Sequence, residues 1–159
     1  MTPPTVQGYF QQDHERLDAL FKSFQELKRS DYAKAKEAFK QFKTGLQRHI
    51  VWEEHLLFPM WEERTGNRDS GPTHVMRLEH RQIGDCLEEI HAKVQESIPE
   101  SDQEEQRLLA ILGSHNLKEE RILYPAIDGI LDQDSRAALF KAMEAVPSED
   151  YGTCCGHHH

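Results

Sequence analysis

Cysteine is scarce in this chain. There are three in 159 residues, and no two form a CxxC pair. That argues against a disulfide-stapled scaffold and a thiolate zinc site, and it fits a cytoplasmic protein. No apolar run approaches the roughly 20 residues that a membrane span needs. The start, Met1-Thr-Pro-Pro-Thr-Val-Gln-Gly, lacks a basic segment followed by an apolar one, so no signal peptide is expected. Positive charge is also short. Nineteen Lys and Arg face 28 Asp and Glu, a net charge of −9 spread along the chain. A nucleic-acid partner would need a basic face, so none is expected. Strand-like alternation is absent as well, which leaves an all-α domain.

Histidine, by contrast, is plentiful, with ten copies. Two of them open the same eleven-residue pattern. The first copy is His49-Ile-Val-Trp-Glu53-Glu54-His-Leu-Leu-Phe58-Pro59. The second is His115-Asn-Leu-Lys-Glu119-Glu120-Arg-Ile-Leu-Tyr124-Pro125. Both read H-x3-E-E-x2-L-[FY]-P. A helix returns to one face after four residues, so each His sits one turn from a Glu. Upstream of each copy lies an acid–His pair, Asp13-His14 and Glu79-His80. Every landmark recurs after 66 residues: 80 − 14, 115 − 49, 119 − 53 and 125 − 59 all give that number. The chain therefore reads as a duplicated helix pair, each half carrying two His and one Glu on inward faces.

The apolar spacing predicts five helices. The first, over residues 6–27, lines up Phe10, His14, Leu17, Phe21 and Phe24. The second, over 32–64, starts after a Ser30 or Asp31 cap and places Phe39, Phe42, Leu46, His49, Glu53 and Leu56 together, with Pro59 kinking it or freeing a carbonyl. The third, over 72–96, begins on Pro72 and aligns Met76, His80, Ile83, Leu87, Ile90 and Val94. The fourth starts from a Ser101-x-x-Glu104 capping box, runs to about residue 131, and turns Leu108, Ile111, Leu112, His115, Glu119 and Ile122 inward. Gly113 within it costs helix propensity, for which close helix packing is the expected reason. A short fifth helix covers 134–145. The expected architecture is an up-down-up-down four-helix bundle with a short C-terminal helix, over residues 1–146, followed by a polar tail over 147–159.

Four His and two Glu on the inward stripes of four helices are costly to bury unless something satisfies them. Two divalent cations would do so. By symmetry His14, His49 and Glu53 would serve one, and His80, His115 and Glu119 the other, with both carboxylates able to bridge. Mixed nitrogen and oxygen donors favour iron first and manganese second. The competing reading is a metal-free bundle in which His and Glu satisfy one another.

On these motifs the chain resembles the hemerythrin-like (HHE cation-binding) family over roughly residues 6–131. The resemblance implies a bundle enclosing a non-haem di-iron centre held by His14, His49, Glu53, His80, His115 and Glu119. It implies a small ligand, namely dioxygen, peroxide or nitric oxide, handled as carrier, sensor or detoxifier. The alternative it implies is an iron- or nitric-oxide-responsive repair module that does not carry oxygen. Oxygen-carrying relatives have a fifth His one turn before the His80 position and usually Asp at the Glu119 position. This chain has Met76 and Glu119, a four-His, two-Glu set. Met76 would then leave a coordination position open behind an apolar wall.

Other polar residues have plainer readings. Glu54 and Glu120 are either groups that orient a ligand His or exposed charges. His55, His74 and His91 are read as non-ligands, and Cys86 as a small core residue. The terminal Cys154-Cys155-Gly156-His157-His158-His159 is equally an added tag or a soft-metal tail.

Overall fold

A computed structural model describes residues 4–68 and 70–151, and the Cys154–His159 readings lie outside that range. Helix α1 spans Val6–Leu27, and its Thr5 cap accepts from the Gly8 amide. Its stripe of Phe10, His14, Leu17, Phe21 and Phe24 is buried as the spacing predicts. Helix α2 (Tyr32–Trp52) is capped by Asp31, whose carboxylate accepts from the Lys34 amide. Helix α3 (Phe58–Thr65) ends on Gly66, whose φ of 75° suits a residue without Cβ. Next in the chain are α4 (Pro72–Gln95), α5 (Asp102–Lys118), α6 (Tyr124–Ile130) and α7 (Gln133–Glu144). The fold is an all-α bundle in which α1 packs on α2 and α4 on α5. Among the described residues no helix is long and apolar enough to cross a membrane.

The second and fourth rods are not continuous α-helix. Each contains one π turn, Glu53–Leu57 and Glu119–Leu123, 66 residues apart. There the Phe58 amide reaches back to the Glu53 carbonyl, and the Tyr124 amide to the Glu119 carbonyl. In that register the next bond would join residue 59 to Glu54, but Pro59 has no N–H; Pro125 leaves Glu120 in the same position. Side chains from elsewhere supply the missing donors. Arg77 Nη2 donates to the Glu54 carbonyl at 3.3 Å, and Gln7 Nε2 to the Glu120 carbonyl at 2.9 Å.

The extra residue in each turn rotates the helix beyond it. Leu57 and Leu123 are buried where the regular period pointed to Leu56 and Ile122. Leu56 is only half-buried, and Ile122 is 63% exposed. The Ser101 capping box is also replaced. Its hydroxyl donates to Glu105 instead, while Glu104 pairs with Lys93 at 2.6 Å. Close packing does not explain Gly113 either, since a Cβ there would meet nothing within 4 Å.

Two apolar clusters sandwich the His/Glu layer. One holds Phe21, Phe24, Phe39, Phe42, Ile83, Leu87 and Leu108. The other holds Phe10, Leu57, Phe58, Met76, Leu123, Tyr124 and Ile127, closed by Leu139 and Met143 of α7. Met76 is 2% exposed within this second cluster. Trp52 Nε1 ties α7 down by donating to the Met143 carbonyl at 3.1 Å.

Candidate metal centre

The six residues singled out in the sequence come together in the layer between these clusters. His14 on α1, His49 on α2, His80 on α4 and His115 on α5 are each at most 4% exposed, and Glu53 and Glu119 are fully buried. Glu53 and Glu119 open the two π turns, so each begins a widened turn at the centre of the bundle. Two sets have donor atoms within 4.8 Å of one another: Glu53, His80, His115 and Glu119, and His14, His49 and Glu119.

Each glutamate reaches both halves. Glu53 Oε1 lies 3.0 Å from His80 Nε2, and its Oε2 lies 3.6 Å from His49 Nε2. Glu119 Oε1 lies 3.3 Å from His14 Nε2, and its Oε2 lies 3.3 Å from His115 Nε2. That last contact is poorly aligned, and Glu119 Oε2 has no hydrogen-bond donor.

Every histidine turns its other nitrogen to a carboxylate. His14 Nδ1 meets Glu120 at 2.7 Å and His49 Nδ1 meets Asp13 at 2.8 Å. His80 Nδ1 meets Glu54 at 2.6 Å and His115 Nδ1 meets Glu79 at 2.9 Å. A carboxylate only accepts, so each Nδ1 carries the proton and donates. Asp13 and Glu79 therefore serve a histidine on the neighbouring helix, not the adjacent His14 and His80. Glu54 and Glu120 serve the histidine of the other half. Arg16 donates to Asp13 at 3.0 Å, and Lys118 to Glu79 at 2.5 Å, which fixes these carboxylates in turn.

Protonated Nδ1 atoms leave four Nε2 lone pairs facing inward. Two of them, on His14 and His49, are only 3.1 Å apart. One further group enters the layer, and the sequence motif did not single it out. The Tyr124 hydroxyl lies 2.5 Å from Glu53 Oε2 and 2.8 Å from Glu119 Oε1. It is also 3.3 Å from His49 Nε2 and 3.4 Å from His14 Nε2. Its counterpart 66 residues earlier is Phe58, which has no hydroxyl and stacks on His80 at 5.7 Å. Four ring nitrogens, four carboxylate oxygens and one phenol thus converge on one layer. Such a surplus of acceptors fits cations, and hard-to-borderline ones given the N and O donors.

Protons compete for the same atoms. Burial alone would lower the His49 and His80 pKa values. The charge of Glu53 and the bond to Asp13 outweigh burial at His49, and bonds to Glu53 and Glu54 do so at His80, so both are pushed up to about 10. Burial opposes the charge on Glu53, yet the His49 charge and surrounding donors hold it well below its ordinary value. Burial and the neighbouring carboxylates push the Tyr124 hydroxyl well up, so it stays protonated. Beside the layer lies a cavity of about 10 Å³, walled by Leu17, Phe42, Leu46, Ile83 and Leu112. That is room for about one water molecule. His74 and His55 stand outside both donor sets, and His91 stacks on Phe39 at 6.3 Å. Cys86 is buried with a free thiol.

Comparison with known proteins agrees with this layer. Residues 5–127 match the family described as Hemerythrin HHE cation binding domain. A DNA nickase of Nostoc sp. is 29% identical over 150 residues, 92% of this chain and 41% of that protein. An iron-sulfur cluster repair protein YtfE of Enterobacter sp. is 29% identical over 100 residues, 59% of this chain and 46% of that protein. The YtfE protein of Yersinia pseudotuberculosis is 39% identical over 54 residues, 34% of this chain and 24% of that protein. The chain thus spans less than half the length of these curated relatives. No solved structure matches.

Proposed function

Since the chain belongs to the hemerythrin HHE cation-binding family, we propose that it is a non-haem di-iron protein that binds or reacts with dioxygen or its reduced products. The observation that supports this best is the ring of four Nδ1–carboxylate pairs, which turns four Nε2 lone pairs onto two shared glutamates. His14, His49, Glu53 and Glu119 would hold one ion, and His80, His115, Glu119 and Glu53 the other. Bound iron would supply open coordination positions and reversible one-electron chemistry.

The protein's own groups do the rest. Asp13, Glu54, Glu79 and Glu120 fix the imidazole tautomers and ring orientations. The two apolar clusters keep bulk water from the layer. The adjoining cavity, at about 10 Å³, limits any ligand on that side to a few atoms. The Tyr124 hydroxyl can donate a hydrogen bond at the His14/His49 end, where Phe58 offers nothing at the other. The set lacks the fifth histidine of the oxygen carriers, which favours reaction or sensing over plain carriage.

A second reading is an iron- or nitric-oxide-responsive repair module, favoured by the likeness to the YtfE proteins. The chain spans 41% of the Nostoc relative, and its net charge of −9 argues against carrying a nucleic-acid substrate over to it. A cytoplasmic setting suits either reading.

The test is metal analysis with optical spectra. Iron-loaded protein is expected to hold two ions per chain and to change its spectrum on reduction and on reoxidation by dioxygen or peroxide. Saturation at one ion per chain overturns the di-iron reading. A reduced form that ignores dioxygen and peroxide but responds to nitric oxide favours the second.

A further inference from the structure

The two halves should present two equivalent seams, α1 against α5 and α4 against α2. They are not alike. A groove of about 500 Å³ runs along the α1/α5 seam, lined by Asp18, Lys22, Gln25, Leu109, Gly113 and Leu117 among others. Three of its residues, Asp18, Leu112 and Asn116, also line the small cavity beside the His/Glu layer. Those three side chains therefore stand between the groove and the cavity. Gly113 forms part of the groove wall, and a Cβ there would meet nothing within 4 Å.

The opposite seam has a surface groove too, of about 640 Å³, but it is packed beneath. Subtracting 66 gives Gln47 for Gly113 and Ile50 for Asn116. Gln47 is 1% exposed and Ile50 2% exposed, so both side chains are packed inside the seam. The surface groove over it, lined by Phe39, Lys43, Thr44, Gln47, His91 and Val94, shares no residue with the inner cavity. A missing side chain at 113 and a half-buried amide at 116 thus stand where the other half has two buried side chains. This also accounts for a glycine in a helix interior, where it costs about 1 kcal/mol against alanine.

We propose that the α1/α5 groove is the route by which small uncharged ligands reach the metal layer. Gly113 keeps the route open, and Leu112 and Asn116 set the width of its inner neck. Because the cavity beyond the neck holds about one water, the ligands it admits are diatomic or of similar size. This rests on the di-iron reading of the layer.

The test uses the full chain, iron-loaded and reduced, with nitric oxide as the probe. Association and dissociation rates are read by stopped-flow absorbance, and the equilibrium affinity is measured separately. A route acts on both rates alike and leaves the equilibrium unchanged. Gly113→Ala, Gly113→Leu and Gly113→Phe are expected to slow both rates in order of size, by at least tenfold for Phe. Asn116→Ala is expected to raise both. Thr44→Phe, which puts the same bulk on the other seam, is expected to change neither. Metal content measured first separates the two failures. A chain that takes up no iron overturns the di-iron reading and this route with it. An iron-loaded Gly113→Phe with wild-type rates, or a Thr44→Phe slowed as much, overturns the route alone. So does an affinity that changes with only the dissociation rate.

Discussion

Asp13 is next to His14 in the chain but bonds to His49 at 2.8 Å. Losing that carboxylate frees the imidazole to rotate and to change tautomer. Asp13→Ala is therefore expected to weaken metal binding by about 10- to 100-fold while leaving the helical circular dichroism intact. A metal-competition titration with a chelator measures this. Tyr124→Phe makes the two halves alike at this position. It removes a donor that meets two buried carboxylate oxygens, so metal-free protein should lose about 1–3 kcal/mol in urea unfolding. Metal-loaded protein should lose less, because cations then satisfy the same oxygens. Equal losses in both forms would mean the hydroxyl is not an alternative to the metal. The six His and Glu positions were readable from their 66-residue offset. Tyr124 was part of the same motif, yet its role was not readable. On a regular helix, five residues after Glu119 is about 140° round the axis, away from the layer.

That displacement belongs to the elements. The π turns at Glu53–Leu57 and Glu119–Leu123 bring Phe58 and Tyr124 back over their glutamates. Apolar periodicity gave the first and third rods and the start of the second and fourth correctly, because those stretches are regular α-helix. It misplaced Leu56 and Ile122 because an inserted residue changes the period for everything beyond it. Pro59 and Pro125 were the visible signal, since a proline inside a helix must leave a carbonyl without its donor. Pro125→Ala supplies an amide where one is missing and lets the turn relax towards regular α-helix. The metal-free melting temperature is then expected to rise. Metal affinity should fall, as Tyr124 and the carboxylate of Glu119 turn out of place. Thermal melts and a metal titration of the same preparation check both halves of that expectation.

Across the whole molecule, folding, proton binding and metal binding draw on one layer. In metal-free protein the His49 and His80 pKa values rise from 6.5 to about 10 on folding. A raised pKa contributes stability fully below the unfolded value and loses it as pH climbs through the folded one. The metal-free melting temperature should therefore decline from about pH 6.5 to pH 10. Glu53 works in the opposite sense. Its folded pKa is held well below 4.5, so its contribution is present above that value and is lost in strong acid. Metal displaces the imidazole protons, so the loaded protein should keep its melting temperature across the alkaline range. Parallel melts with and without iron measure this, and identical alkaline slopes would contradict it.

His14 is oriented by Glu120 and His80 by Glu54, and Glu53 and Glu119 each touch a histidine of either half. Neither half owns a finished site. The peptide between Gly66 and Gly71 joins the two halves along the chain. A chain cut there is expected to behave as a pair of complementing fragments. Each piece alone would be a weak chelator and an incomplete fold. Mixed in equal amounts with iron, they should reassemble, with the ions serving as the linker that the backbone no longer provides.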